Sequence, residues 1–514
     1  MSVLAEWFLT SVQRGNPHSD LPAWSEGNEA QALIDGAAYF DRLVTEVEAL
    51  GPGDHLFFAD WRGDADQRLR EDGPTVGELF RAAAERDVLV KGLMWRSYPS
   101  KLQFNEEQNR HLAEAIERAG GEVLLDQRVL IGGSHHQRLV VLRHPEEPHR
   151  DVAFIGGIDL CHSRRDDASH RGDPQAVRMS HRYGERPPWH DVQLQLRGPV
   201  IGALDTTFRE RWTARAPLDI FNPLAWIRER FQGADATRRP LPDQPPDPPS
   251  CGPHAVQVLR TYGDALIQYE FARDGERSIA RGYTKAVRRA RRLIYLEDQY
   301  LWSEEVADLL VGALTANPQL HFVAVVPRYF DLEGGLGRPP TLVGRQLALD
   351  ACRRVAPDRV HVFDVENHEG TPVYVHSKVC VIDDTWACVG SDNFNRRSWT
   401  HDSELSCAVL DAEGAFARDV RLKLLREHLD RAADGTQDGG LADPVTAVNE
   451  IVASAAALEA WYESGCRGQR PPGRLRPHKV ERVDPFTRLW AEPAYRVLYD
   501  PDGRSYRDRL LGRP

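Results

Sequence analysis

Part of this chain is written twice. The stretch SHHQRLVVLRHPEEPHRDVAFIGGIDL (134–160) returns as VHSKVCVIDDTWACVGSDNFNRRSW (375–399), so that His136 aligns with His376 and Arg138 with Lys378. AFIGGID (153–159) likewise matches ACVGSDN (387–393). An internal repeat limits the fold more than composition does, because one architecture must serve two segments. The echo extends in both directions. The apolar runs at 54–61 and 292–301 are each followed by a helical pattern (75–87 and 304–316) and then a strand (88–95 and 320–327). A helix and a strand follow again (109–126 and 344–364). Beyond the His segments come the strands 190–198 and 402–411, each leading into a long amphipathic helix, 199–214 and 412–431.

Strands alternating with helices predict an α/β sandwich in each half. RRPLPDQPPDPPSCGPH (238–254) lacks apolar periodicity and is Pro-rich, as an extended linker is. The expected organisation is therefore an N-terminal extension (1–24), a first α/β domain (25–237), a linker (238–253), a second α/β domain (254–435) and a helical, basic tail (436–514). Within that tail, 467–514 holds twelve Lys or Arg against six Asp or Glu. Such an excess can dock on an anionic surface, but packing of the arginines against an acidic body is the stronger expectation.

With 514 residues and a net charge of −12, the chain is a poor candidate for a broad nucleic-acid surface, which is basic. Seven dispersed cysteines without a C-x-x-C pair predict a reducing compartment. The opening MSVLAEWFLTSVQRGNP has no basic n-region, and no run reaches membrane-spanning length. The expectation is a monomeric cytoplasmic protein with at most peripheral membrane contact.

Two histidines brought to one cleft by duplicated domains suit a two-step displacement at phosphorus. One imidazole attacks, and the other protonates the leaving oxygen and then activates water or an alcohol. Lys378 and Arg138, two residues from each His, would lie on the same face of a strand and hold the non-bridging oxygens. No metal-ligand spacing and no cofactor motif is present, so neither is expected. The remaining histidines near His136 (His135, His144, His149) read as loop residues. DLEGGLGRPP (331–340) lacks the G-K-[ST] of a phosphate loop and reads as a loop following a strand.

His376, Lys378 and Asp383, followed by Gly390, Ser391 and Asn393, resemble the H-x-K-x-x-x-x-D signature of the phospholipase D superfamily. IYLEDQYLW, GGIDLCHSRRD and RPPWHDVQL are similar to its lipid-hydrolysing branch. The resemblance covers nearly all of both halves and implies two paired α/β sandwich domains. It also implies a phosphohistidine mechanism with His136 as nucleophile. A carboxylate on the strand after the Gly turn, Asp191 in the first half and Glu404 in the second, would orient each His. Asn393 and its positional partner Asp159 would contact phosphate, with Gly156 and Ser391 at the turns. Gln299 and Glu297 would line the cleft floor. Asp60 and Trp61 are placed near its mouth. The first copy departs from the signature: Arg138 replaces Lys, and Arg143 replaces the Asp. The expected substrate is a phospholipid head group, by hydrolysis or transfer to an alcohol. The alternatives are a phosphate- or lipid-binding protein without turnover, motivated by Arg138 and Arg143, and a nuclease or non-lipid phosphodiesterase on the same fold.

Overall fold

Val- and Ile-rich runs such as LVVLR and VCVI have no polar alternation and fit only strands covered on both sides. The computed structural model, which describes residues 2–97, 105–214, 239–263, 269–331, 337–411 and 413–511, places them so. The first half contributes β1 (Ser25–Ile34), β2 (His55–Asp60), β3 (Leu89–Trp95), β4 (Glu122–Asp126), β5 (Leu139–Arg143), β6 (Val152–Gly156), β7 (Trp189–His190) and β8 (Val192–Arg197). The second contributes β9 (His254–Tyr262), β10 (Glu276–Arg277), β11 (Leu293–Glu297), β12 (His321–Val325), β13 (Val360–Val365), β14 (Tyr374–Val375), β15 (Val379–Ile382), β16 (Trp386–Gly390) and β17 (Glu404–Leu410), and the tail adds β18 (Leu475–Pro477).

All but β7, β10 and β14 follow one path, β18-β13-β12-β11-β15-β16-β17-β9-β1-β8-β6-β5-β2-β3-β4, with β10 pairing beside β9. Read outward from the central antiparallel β1–β9 contact (Ser25↔Val256, Asn28↔His254), one strand order occurs twice. β1-β8-β6-β5-β2-β3-β4 mirrors β9-β17-β16-β15-β11-β12-β13. Along β15, Val379 and Val381 enter one core while Cys380 and Ile382 enter another. One face of the sheet shares a single core through both halves, closed by the helices Val200–Thr213, Ala415–His428 and Pro444–Glu463. The opposite face divides into two cores, one per half, each covered by three helices.

Three features differ from the sequence reading. First, the strand reading carried through His376 and Lys378 does not hold: β14 stops at Val375 and β15 starts at Val379. β14 leaves the main sheet and pairs in parallel with β7 of the other half, Tyr374↔Trp189 and Val375↔His190. The symmetry-related contact is a parallel bridge between His135 and Ser403. The halves are thus stitched together beside each His, and this pulls the backbone out of the sheet. Second, of the stretch read as a loop over 331–340, residues 332–336 lie outside the described residues, and Arg338 opens the helix Arg338–Val355. Its prolines fall in the first turn, where a missing N–H costs nothing. Third, the tail holds a strand as well as helices. β18 caps the edge of β13 (Phe363↔Pro477, Val365↔Leu475), with Pro477 tolerated because it sits on an outer strand. The tail arginines pack on carboxylates of the body, Arg470 and Arg476 on Glu366, Arg474 on Asp430 and Arg504 on Glu305. Among the described residues, no helix is long and apolar enough to cross a membrane.

Candidate active site

Each catalytic candidate is anchored by the half to which it does not belong. The His136 N–H donates to the Ser403 carbonyl (2.9 Å) and the His376 N–H to the His190 carbonyl (2.8 Å). These carbonyls precede Glu404 and Asp191. As a result, His136 Nδ1 sits 2.9 Å from Glu404 Oε2, and His376 Nδ1 sits 2.7 Å from Asp191 Oδ2. The sequence reading, which assigned each carboxylate to the His of its own half, is corrected: the pairs cross. Alignment of the copies equates Asp191 with Glu404 and is blind to an exchange of partners across a two-fold axis.

Both rings line one cavity of about 550 Å³. Burial, reinforced by Arg138 at His136 and by Lys378 at His376, holds both imidazoles well below their ordinary range. Burial also pushes the Glu404 carboxyl up, with Asp402 adding to the effect. Arg138 Nη2 lies 3.2 Å from His136 Nε2. A guanidinium only donates, so this nitrogen presents its lone pair and the ring proton lies on Nδ1 toward Glu404. A tryptophan flanks each ring, Trp61 edge-on to His136 at 6.1 Å between centroids and Trp189 beside His376 at 4.9 Å.

The departures at Arg138 and Asp159 compensate one another. Asp159 accepts from Arg138 Nε (2.6 Å) and Arg164 Nη2 (2.9 Å), all three side chains being buried. In the second half the matching positions are the shorter Lys378 and a neutral Asn393, whose buried Oδ1 has no hydrogen-bond partner. A larger cation in the first copy is therefore matched by an anion in place of the amide. Lys378 donates to the His376 carbonyl. Burial, only partly offset by Asp191, brings its ammonium down to about 7.

Of the other candidates, Gln299 lines the cavity and is fixed by donating from Nε2 to the Tyr374 hydroxyl (2.8 Å). Glu297 does not line the cavity. It lies beneath, accepting from His190 Nε2 (2.9 Å), His428 Nε2 (2.8 Å), Ser377 Oγ (2.8 Å) and the Tyr295 hydroxyl (2.6 Å). Burial alone would raise its pKa, but His190 and His428 outweigh this and hold it below the usual carboxylate range. The other nitrogen of His190 meets Asp35 (3.0 Å). Glu297 and Asp35 on its two sides outweigh burial and hold the His190 imidazole well above its ordinary range. Ser391 and Gly156 serve positioning rather than contact. Ser391 Oγ donates to Glu404 Oε2 (2.5 Å). A Cβ on Gly156 would fall 2.5 Å from the Val192 carbonyl oxygen, inside the neighbouring strand. Trp61 lines the cavity. Asp60 is buried behind it and accepts from the Leu160 N–H (3.0 Å), as Asp298 accepts from the Phe394 N–H (2.8 Å). These bonds fix the residues that follow Asp159 and Asn393. Arg164, stacked on Trp189 with its guanidinium carbon 3.8 Å from the ring centre, was missed by sequence reasoning. Its signal was its place in SRRD, the end of the GGIDLCHSRRD stretch that opens with the Gly turn.

The motif aspartate is structural in this chain. Asp383 lies at the far end of β15, in the left-handed region (φ 53°). It accepts from the backbone N–H groups of Arg291, Arg292 and Leu293 at 2.7–2.9 Å, fixing the entry to β11. Its counterpart Arg143 is equally remote from the cavity. It pairs with Asp151 and Asp205 at 2.7 Å each and donates to the carbonyls of Pro245 (3.0 Å) and Pro246 (2.6 Å) in the Pro-rich segment. Its presence leaves the catalytic geometry intact.

The family model described as "Phospholipase D" matches residues 61–306, and that described as "Cardiolipin synthase, PLD-like domain" matches 347–424. Phospholipase D alpha 1 of Zea mays is 24% identical, the match covering 86% of this chain and 70% of that protein. Phospholipase D alpha 3 of Arabidopsis thaliana is also 24% identical, over 68% of this chain and 57% of that one. The solved phosphatidylserine synthase of Haemophilus influenzae Rd KW20 superposes with a TM-score of 0.53 at 12% identity, covering 89% of this chain and 98% of that structure, which shows a shared fold. With one strand order written twice and both histidines converging on one cavity, the chain belongs to the phospholipase D superfamily and is a phospholipase D-like enzyme.

Proposed function

We propose that the chain is a phosphodiesterase that cleaves the head group from a phospholipid through a covalent phosphohistidine. The observation that carries this reading is the pair of histidines, one from each half, held by crossed carboxylates in a cavity that also contains Arg138, Arg164 and Asn393. The relatives named phospholipase D support the choice of a phospholipid. His136 Nε2 attacks phosphorus, and the bond from phosphorus to the head-group oxygen breaks. That oxygen takes the proton of His376 Nε2, while Arg138, Lys378 and the Asn393 amide hold the non-bridging oxygens. The entering diester anion supplies the negative charge that lets His376 carry this proton despite its burial. In the second step His376 accepts a proton from water or an alcohol, whose oxygen attacks phosphorus and breaks the P–N bond.

The test is incubation of the protein with mixed phospholipids and a primary alcohol in the presence of EDTA. Phosphatidic acid and the phosphatidyl-alcohol are the expected products. Turnover of a chromogenic bis-aryl phosphodiester without either lipid product would move the protein to a non-lipid substrate. Silence on both would favour a binding role.

The pH profile follows from the site. Both imidazoles are held below their ordinary value of about 6.5, so the acid and base limbs shift down together. The protonated fraction of His376 in the free enzyme falls as pH rises, and Lys378 loses its charge above about 7. The plot of kcat/KM against pH is expected to peak on the acid side of 6.5 and to fall above 7. A plateau extending to pH 9 would contradict these environments.

A further inference from the structure

Eight of the fourteen large apolar side chains that stand exposed among the described residues lie between Phe486 and Leu511. Such concentration is unlike the scattered exposure of a soluble surface. The helix Pro485–Ala494 (PFTRLWAEPA) places Phe486, Leu489 and Trp490 on one stripe, with Pro493 a turn further on. This stripe faces outward, Phe486 being 84% and Leu489 76% exposed, whereas Ala491 is the buried residue of the helix. An amphipathic helix on a water-soluble body turns its apolar face inward; here the arrangement is inverted.

The stripe leads to the catalytic cavity. The wide turn Tyr495–Tyr499 anchors Tyr495 against the helix Arg338–Val355, where a Cβ on Gly344 would lie 2.4 Å from its ring. Val497 and Leu498 stay exposed, and Leu498 and Tyr499 line the cavity itself. Arg397 donates to the Leu498 carbonyl (3.1 Å) and to the Gly132 carbonyl. It thereby ties the turn to the loop that carries Ile131, which is 71% exposed. Apolar side chains thus run from the tail helix to the mouth and continue on its other side.

We infer that Phe486, Leu489, Trp490 and Val497, with Leu498 and Ile131 at the rim, form a docking face for a phospholipid bilayer that passes single lipids into the cavity. The inference rests on the function proposed above. A substrate with acyl chains has to leave the bilayer part-way to bring its phosphate to His136, and apolar surface continuous with the cavity lets the chains do so without crossing water. A second copy of the chain seated here would cover Leu498 and close the mouth. Within the segment Arg488 pairs with Glu492, Arg496 with Glu304 and Glu492 and Arg504 with Glu305, while Arg507 and Arg509 stand exposed near its end. On a bilayer without net charge docking rests on apolar area, and salt does not release it.

The test uses the full chain and the combined variant Phe486→Ser, Leu489→Ser, Val497→Ser. Wild type is expected to sediment with vesicles of pure phosphatidylcholine at low and at high salt. In the variant, vesicle binding and the rate on vesicle lipid fall at least about tenfold. The rate on monomerically dispersed short-chain phosphatidylcholine stays within about twofold, because these three side chains touch nothing in the cavity. Equal sedimentation of variant and wild type, or a wild type that stays in the supernatant, would overturn the docking face. So would a wild-type dimer in solution that the variant dissolves, since the face then belongs to a second copy. Sedimentation that responds to the variant, in a protein that turns over neither lipid form, would sink the proposed function while supporting the face.

Discussion

Alanine at His136 or at His376 is expected to lower kcat/KM on phospholipid by about 10⁴-fold or more, ~5 kcal/mol of transition-state stabilisation. The double variant should be no slower than either single one, because the two rings act in one sequence of bond changes and the loss of either stops it. The Asp191→Ala and Glu404→Ala variants should each lose about 10³-fold, since a freed imidazole adopts the wrong tautomer and orientation. The crossed geometry makes a sharper prediction with a substrate whose aryl leaving group needs no proton. On such a diester His376→Ala should still form a labelled phosphohistidine and stall, lacking a base for water. His136→Ala should form none. Label recovered on His376 in the His136→Ala protein would reverse the assignment of nucleophile. Glu404→Ala should impair labelling more than Asp191→Ala does, because it is Glu404, from the other half of the chain, that holds His136.

The second large effect concerns stability. Arg143 is fully buried, bound to two carboxylates and two proline carbonyls. Arg143→Ala would take the guanidinium from the buried Asp151 and leave Asp205 with Arg209 alone. Removal of one partner from a buried ion network costs about 3–5 kcal/mol, a large part of the roughly 5–15 kcal/mol by which a domain is stable. Arg143→Asp, which restores the family signature on paper, should be worse still, since it places a third carboxylate in the same pocket. Urea denaturation should show a lower midpoint for Arg143→Ala, with Arg143→Asp lower again or insoluble. Any Arg143→Asp protein that folds should gain no activity. A rise in turnover would assign this position a catalytic part that its distance from the cavity denies it.

The sequence by itself determined the duplication and with it the strand order written twice. Each strand carries its own double-sided apolar pattern, and each helix its own stripe, so these elements can be read locally. It also determined that His136 and His376 form a pair, because the residues that mark them lie within a few positions of each ring. Only the tertiary structure decided which carboxylate each His meets. His136 and Glu404 are 268 residues apart, and His376 and Asp191 are 185 apart. The contacts exist only because β14 pairs with β7, and His135 with Ser403, across the halves, a consequence of how two folded bodies pack. The same holds for Glu297, which the pull of His190 and His428 keeps below the cavity floor, and for Arg143, whose partners come from a strand end, a helix and the Pro-rich segment. It holds too for the tail. Its charge could be counted from the sequence, but the outward turn of Phe486 and Leu489 depends on which side of their helix meets the body, which propensity and period do not encode.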